Sequence, residues 1–321
     1  MRTIRITTSL LCGALALVFG AGAVLAQSYP SRTVRLVSGV SPGSASDTMA
    51  RIVAERLTAS LGQPVIVENW LGAGGLVGAS RVAKSEPDGH TIMMYASAFT
   101  VSPLLSPGVL DPKELTAVAT IATIPTVLVV STERGFKTVA DLVAAAKAKP
   151  GGIVATSAGI GSATHMNLER FRIAAGIEVL HVPLKGAPEA LTEVLTGRAD
   201  FYFALPFQAR SQASKVIALA VGSPKRSGLF PDVPTTVEAG YANSDYNFWV
   251  GALMPAKTPA AIVQRLHREF NAAVSAPDVR DRIVKTGADP LSLSIPEFEA
   301  MLAAEFESNA KLIKAAGIKA N

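Results

Sequence analysis

Residues 157–165 read "SAGIGSATH". Ser157, Ser162 and His165 are the residue types that make a nucleophile and its base. The stretch also lies between an apolar run ending "IVAT" and a helical pattern beginning "HMNLERF". A strand, a glycine turn and a helix start leave backbone N–H groups unpaired, and proteins hold anions on such groups. The two chemistries need different surroundings. A nucleophile elbow has glycine two positions before its serine, and Ala155 stands there before Ser157. With Ser162 as a helix cap, His165 falls in the first turn. There it suits a brace that bonds a loop carbonyl better than a catalytic base, whose role geometry has to define. A serine hydrolase using Ser157 or Ser162 with His165 stays as an alternative.

A second stretch has the same grammar. "TVRLVSGV" (33–40) is apolar and β-branched, "SPGSASD" (41–47) follows, and Met49, Ile52, Val53 and Leu57 then recur at helical spacing. One such loop is ordinary, because serine caps many helices. Two suggest a ligand held across a cleft. Ser44, Ala45 and Ser46 are expected to supply donors on one side, and Ser157, Gly161 and Ser162 on the other. Neither loop contains Arg or Lys, which favours a carboxylate over a phosphate. Asp47 beside an anion site is expected to cap N–H groups, order its loop, or pair with Arg51 four residues on.

Other chemistries find less support. Cys12 is the one cysteine and no two of His90, His165, His181 and His267 have zinc spacing, so no metal and no cofactor are expected. "GAGGLVG" (72–78) has Val77 where a dinucleotide-binding loop has its third glycine. The formal net charge is +5, yet no Lys/Arg run exceeds two residues, so a nucleic-acid partner is not expected.

The elements that must position the loops alternate. Strands are expected at 33–40, 64–69 and 90–96 with helices between them. The alternation restarts near residue 126, with strands at 126–132, 153–156, 177–183, 199–204 and 216–223, and the chain is helical from about 258. This is an α/β pattern in two units. Before it, Arg2 and Arg5 precede "SLLCGALALVFGAGAVLA", and small residues Val24 and Ala26 stand before Gln27. Residues 1–26 read as a cleaved secretory signal peptide rather than a membrane anchor.

Taken in order, "VRLVSGVSPGSASDTMAR", "VIVENWLGAGGLVGASRVAKSEPDGHTIMM", "GIGSATHMNLERF", "HVPLKGAPEALTEVLTGRADFYF" and "LFPDVPTTVEAGY" resemble the motifs of the extracytoplasmic solute receptors of tripartite tricarboxylate transporters, the Bug or TctC-like family. The resemblance covers nearly all of the chain after the leader. It implies a class II periplasmic binding-protein fold: two α/β domains, 27–125 with 246–321 and 126–245, joined by crossing strands and hinged near 125 and 246. It implies a periplasmic, monomeric protein that closes on a small organic acid and delivers it to integral membrane transporter subunits. Docking to a sensor kinase is the alternative. The ligand-binding residues it implies are Val40, Ser41, Ser44, Ala45, Ser46, Asp47, Ser97, Thr100, Ser157, Gly161, Ser162, His165 and Phe207, with no catalytic residue. The sequence departs from the family pattern at Gly39, Val40, Ser44, Tyr95, Ser102, Leu184 and Ala204. Tyr95, Phe99, Phe207 and Trp249 are candidates to line a pocket for an aromatic acid, or else to pack in the core.

Overall fold

The computed structural model describes residues 29–246 and 248–319, and the leader expected at 1–26 lies outside them. In chain order the elements are β1 (Val34–Ser38), α1 (Ala45–Leu61), β2 (Val65–Asn69), α2 (Leu76–Ala83), β3 (Thr91–Ala96), α3 (Ser102–Leu105) and β4 (Leu115–Thr123). Then come β5 (Val127–Ser131), α4 (Val139–Ala148), β6 (Val154–Ser157), α5 (Ala163–Ala175), β7 (Leu180–Pro183), α6 (Ala187–Leu195), β8 (Phe201–Ala204), α7 (Pro206–Ser211) and β9 (Val216–Val221). The chain ends with β10 (Trp249–Pro255), α8 (Ala260–Ser275), α9 (Pro277–Lys285), β11 (Asp289–Pro290) and α10 (Ile295–Ala316).

The strands form two sheets, ordered β11-β4-β10-β3-β1-β2 and β7-β6-β8-β5-β9. The central strands of each sheet are buried on both faces, as βαβ connections require, while the edge strands β2 and β7 are partly exposed. Period-two alternation divides the side chains between those faces. In the first sheet Val34 and Leu36 of β1 and Ile92 and Met94 of β3 pack with α1, α8 and α9 through Met49, Leu57, Phe270 and Ile283. Val37, Met93 and Tyr95 point the other way, onto Leu76 and Val82 of α2 and Phe298 of α10. In the second sheet Leu128 and Val130 meet Leu142, Leu168 and Phe171 of α4 and α5. Val127 and Val129 meet Leu191 and Val194 of α6. Each Leu or Phe so buried stabilises the fold by roughly 2 kcal/mol.

Three strands were not among those expected from periodicity: β4, β10 and the two-residue β11, which interrupts the stretch expected to be helical from about 258. β4 and β10 are buried along almost their whole length but are rich in residues that weaken a strand signal, Ala117, Ala119 and Ala122 in β4 and Gly251, Ala252 and Pro255 in β10. β4 runs directly into β5 through 124–126, and 222–248 return the chain from β9 to β10. These crossing segments are tied together: Ile124 N–H donates to Phe248 O at 2.7 Å, Gly222 N–H to Thr126 O at 2.8 Å, and Tyr246 N–H to Gly222 O at 3.0 Å.

The topology sets which ends face each other. β10 is antiparallel to β3 with Val250 opposite Ala96, so the C-terminal ends of β1 and β3 lie on the edge where the chain crosses. β5 is antiparallel to β8 with Val127 opposite Ala204, and β6 is parallel to β8. The C-terminal ends of β6 and β8 therefore lie on the crossing edge of the second sheet. The loops after β1, β3, β6 and β8 all emerge where the two units meet.

Candidate ligand-binding site

The loop after β1 is built around Asp47. Ser44 is the N-cap of α1 in extended conformation, and its Oγ accepts from Asp47 N–H at 3.5 Å. The Asp47 carboxylate accepts from Gly43 N–H at 2.9 Å, from Asn69 Nδ2 at 2.9 Å, and from Nε and Nη2 of Arg51 at 3.0 Å each. Burial acts to raise its pKa, but the bonds from Arg51, Gly43 and Asn69 prevail and hold the carboxyl below its usual range. Its capacity is spent inside the protein. Asn69 also donates to Val40 O at 2.9 Å, which fixes the turn between strand and loop. Ser46 Oγ meets Ser38 Oγ at 3.2 Å, and Ser41 is exposed. Ala45 and Ser46 follow the cap, and their backbone N–H groups have no acceptor among the described residues.

The loop after β6 repeats the plan. Ser162 is the N-cap of α5; its Oγ accepts from His165 N–H at 3.3 Å and meets Thr164 Oγ1 at 3.1 Å. Thr164 Oγ1 accepts from Ala158 N–H at 2.9 Å. The N–H groups of Ala163 and Thr164 have no acceptor among the described residues. His165 is 3% exposed and braces the loop, by an amide rather than a carbonyl: its Nδ1 accepts from Gly161 N–H at 3.1 Å. The proton of the neutral ring is therefore on Nε2, which lies 3.8 Å from Glu169 Oε1.

Neither Ser157 nor Ser162 bonds a ring nitrogen of His165. Ser157 Oγ meets His181 Nε2 at 2.8 Å instead. His181 stacks on His165 with centroids 4.2 Å apart and planes 10° apart. Burial pushes His165 down to about 3, with repulsion from His181 and Arg172 adding to it, and burial alone pushes His181 down to about 4. Both rings are neutral near pH 7.

Sequence reasoning placed His181 at a strand edge and missed this bond. The signal is strand register: Ala155 pairs with His181 and Ser157 with Pro183, so Ser157 and His181 are diagonal neighbours on one face. No linear pattern shows that.

Ser97, Thr100 and Phe207 come from the other two loops. Ser97 and Thr100 are fully buried in the helical turn after β3. Thr100 Oγ1 donates to Ser97 O at 2.8 Å and accepts from Asn309 Nδ2 of α10 at 2.9 Å. Phe207 stands on α7 and is 39% exposed. The units touch at the second loop: a Cβ built on Gly161, at φ +75°, would lie 3.1 Å from Leu105 Cδ1 and 3.3 Å from Val101 Cγ1. Tyr95, Phe99 and Trp249 are at most 2% exposed and belong to the core, so they line no aromatic pocket. Among the described residues no three His, Cys, Asp or Glu cluster to hold a metal.

The model of the tripartite tricarboxylate transporter family receptor (TctC) matches residues 49–318. The chain belongs to this receptor family. The UPF0065 protein in the tcbD-tcbE intergenic region of Pseudomonas sp. (strain P51) is 35% identical over 265 residues, 81% of this chain and 79% of that protein. Protein BugT of Bordetella pertussis is 31% identical over 307 residues, 93% and 94% of the two chains. Among solved structures, an R. palustris protein with adipate has a TM-score of 0.85 and 29% identity, covering 91% of this chain and 99% of that one. MatC from Rhodopseudomonas palustris with bound malate has a TM-score of 0.81 and 27% identity, covering 89% and 100%.

This receptor of the TctC family has the two-unit α/β fold of periplasmic binding proteins. Two of its departures from the family pattern explain each other. A Cβ on Gly75, at φ +100°, would lie 2.6 Å from Tyr95 Cε2, and a Cβ on Gly39 would run into the backbone of Gly75. The bulk at Tyr95 fills the space behind the 72–75 turn, and that turn leaves room for glycine alone at position 39.

Proposed function

We propose that this receptor captures a small carboxylate between the N-termini of α1 and α5 and hands it to membrane subunits of a tripartite transporter. The observation that carries this reading is the set of four backbone N–H groups, on Ala45, Ser46, Ala163 and Thr164, that lack acceptors at two capped helix starts on facing edges. Each helix N-terminus carries a partial positive charge of roughly half a unit, and N–H bonds to a carboxylate are charge-assisted. Neither Arg51, which is held by Asp47, nor the neutral His165 and His181 competes for the anion. Two half-charges suit a mono- or dicarboxylate. Relatives of the same fold bound to adipate and malate support the class.

Ser41, Ser44 and Ser162 contribute hydroxyls at the rim, and Phe207 flanks the cleft. The receptor works as a monomer without catalysis. Its mature chain begins at Gln27 and acts in the periplasm. Its domains, 27–125 with 246–321 and 126–245, close by rotation near 125 and 246.

Calorimetry against adipate, malate and their dimethyl esters tests this. A bound diacid at about 100 times Kd adds roughly 2.7 kcal/mol of stability, and the esters do not bind. Equal binding of acid and ester, or no shift with any of a broad panel of organic acids, overturns the reading.

A further inference from the structure

α5 reaches from the ligand loop to the rear of the molecule. It is a 13-residue helix, about 20 Å long. Its first turn carries the unpaired N–H groups. At its middle, Asn167 is fully buried among the crossing segments. Thr126 Oγ1 donates to Asn167 Oδ1, and Asn167 Nδ2 donates to Ser244 O at 3.1 Å. Gly222, the first residue after β9, packs against the same side chain, with no room for a Cβ. One side chain thus fastens the helix to both crossing segments.

One turn further on, Arg170 faces the other unit. Its Nη2 donates to Ser308 Oγ of α10 at 2.7 Å, its Nη1 to Asp245 O at 3.4 Å, and its guanidinium lies 5.6 Å from the Tyr246 ring centroid. Beyond it, Ile173 and Ala174 of α5 and Ser308 and Leu312 of α10 line a depression of about 300 Å3. A rigid helix fastened at its middle moves its two ends in opposite senses. When the front cleft opens, the rear depression must narrow, and Arg170 is the side chain caught between the walls.

The geometry points to Arg170 as a positioning residue that sets how far the receptor opens, with the rear depression as the counterpart of the ligand cleft. This rests on the closure named in the proposed function. It makes filling and emptying the rear space act with opposite sign, which a merely structural role does not.

The test is small-angle scattering on the ligand-free chain, with adipate calorimetry alongside. Ala174→Trp, which wedges the depression, gives a smaller radius of gyration and raises adipate affinity by about fivefold. Ile173→Trp does the same from an exposed position, should Ala174→Trp fail to fold. Arg170→Ala lets the rear walls approach, enlarges the radius of gyration and weakens adipate by about fivefold. Changes of the same sign in the filled and emptied variants, or unchanged dimensions in folded variants, overturn the lever. The scattering needs no ligand, so a wild-type chain that ignores adipate counts against the carboxylate reading while the dimensions still decide the lever.

Discussion

The rings of His165 and His181 lie face to face, 4.2 Å apart, beneath the loop capped by Ser162. One ring holds Gly161 N–H and the other meets the Ser157 hydroxyl. The pair converts two polar groups of the loop into fixed points. It does so as neutral rings, because burial holds their pKa values near 3 and 4.

That neutrality predicts a pH dependence of stability. An unfolded histidine takes up its proton near pH 6.5, while the buried rings do not until about pH 3 and 4. Between those limits the unfolded chain binds more protons, so stability rises with pH across the window. The pair's contribution is full above about pH 6.5 and is lost as pH falls toward 4. Scanning calorimetry from pH 7.5 to 4 is expected to show a falling Tm, and the His165→Asn, His181→Asn double variant a shallower fall.

Ser162→Ala removes the cap of α5 and a hydroxyl of the cleft. The lost cap costs about 1 kcal/mol of stability. The lost hydroxyl weakens adipate by about tenfold, the equivalent of one hydrogen bond to a charged group. Denaturant titration and calorimetry read the two effects separately. A loss of stability with unchanged affinity would remove Ser162 from the contact surface.

Asp47→Asn keeps the shape of the first loop and removes its charge. Its side chain is 2% exposed, whereas that of Arg51 is 52% exposed and stays hydrated when its partner is lost. The expected cost is therefore about 2 kcal/mol, within the range for a hydrogen bond to a charged group. Wild-type Asp47 contributes its stability above the ordinary carboxylate pKa, and the contribution fades as pH falls through its lowered folded value. A variant as stable as wild type at pH 7 would show that the carboxylate does not order this loop.

Gly39→Ala tests the packing behind the first loop. The added Cβ meets the Gly75 backbone, which Tyr95 prevents from retreating. Overpacking of this kind costs about 1–3 kcal/mol, a fall in Tm of several degrees. An Ala variant with unchanged Tm would mean that the 72–75 turn yields.

Much of this architecture was legible in the residues. The amphipathic spacing of Met49, Ile52, Val53 and Leu57 announces α1, and proline near a helix start announces α9 and α10. The serine caps of α1 and α5 stand where the loop grammar puts them. β4 and β10 were not legible, because Ala117, Ala119 and Ala122 in one and Gly251, Ala252 and Pro255 in the other weaken the strand signal, and β11 is only two residues long. In the site, the Asp47–Arg51 pair followed from i,i+4 spacing. The Ser157–His181 bond did not, because it depends on the register of β6 against β7. Asn167 and Arg170 escaped notice for a related reason: their partners lie tens of residues away, in the crossing segments and α10.

Binding in this receptor turns on carboxylates seated on the unpaired N–H groups of two helix starts. A crystal structure grown with adipate tests it most directly. One carboxylate is expected within hydrogen-bond reach of Ala45 or Ser46 N–H, and the other at Ala163 or Thr164 N–H, directly or through one water. Adipate bound away from both helix starts, or held by an Arg or Lys side chain with those N–H groups still unpaired, would contradict it.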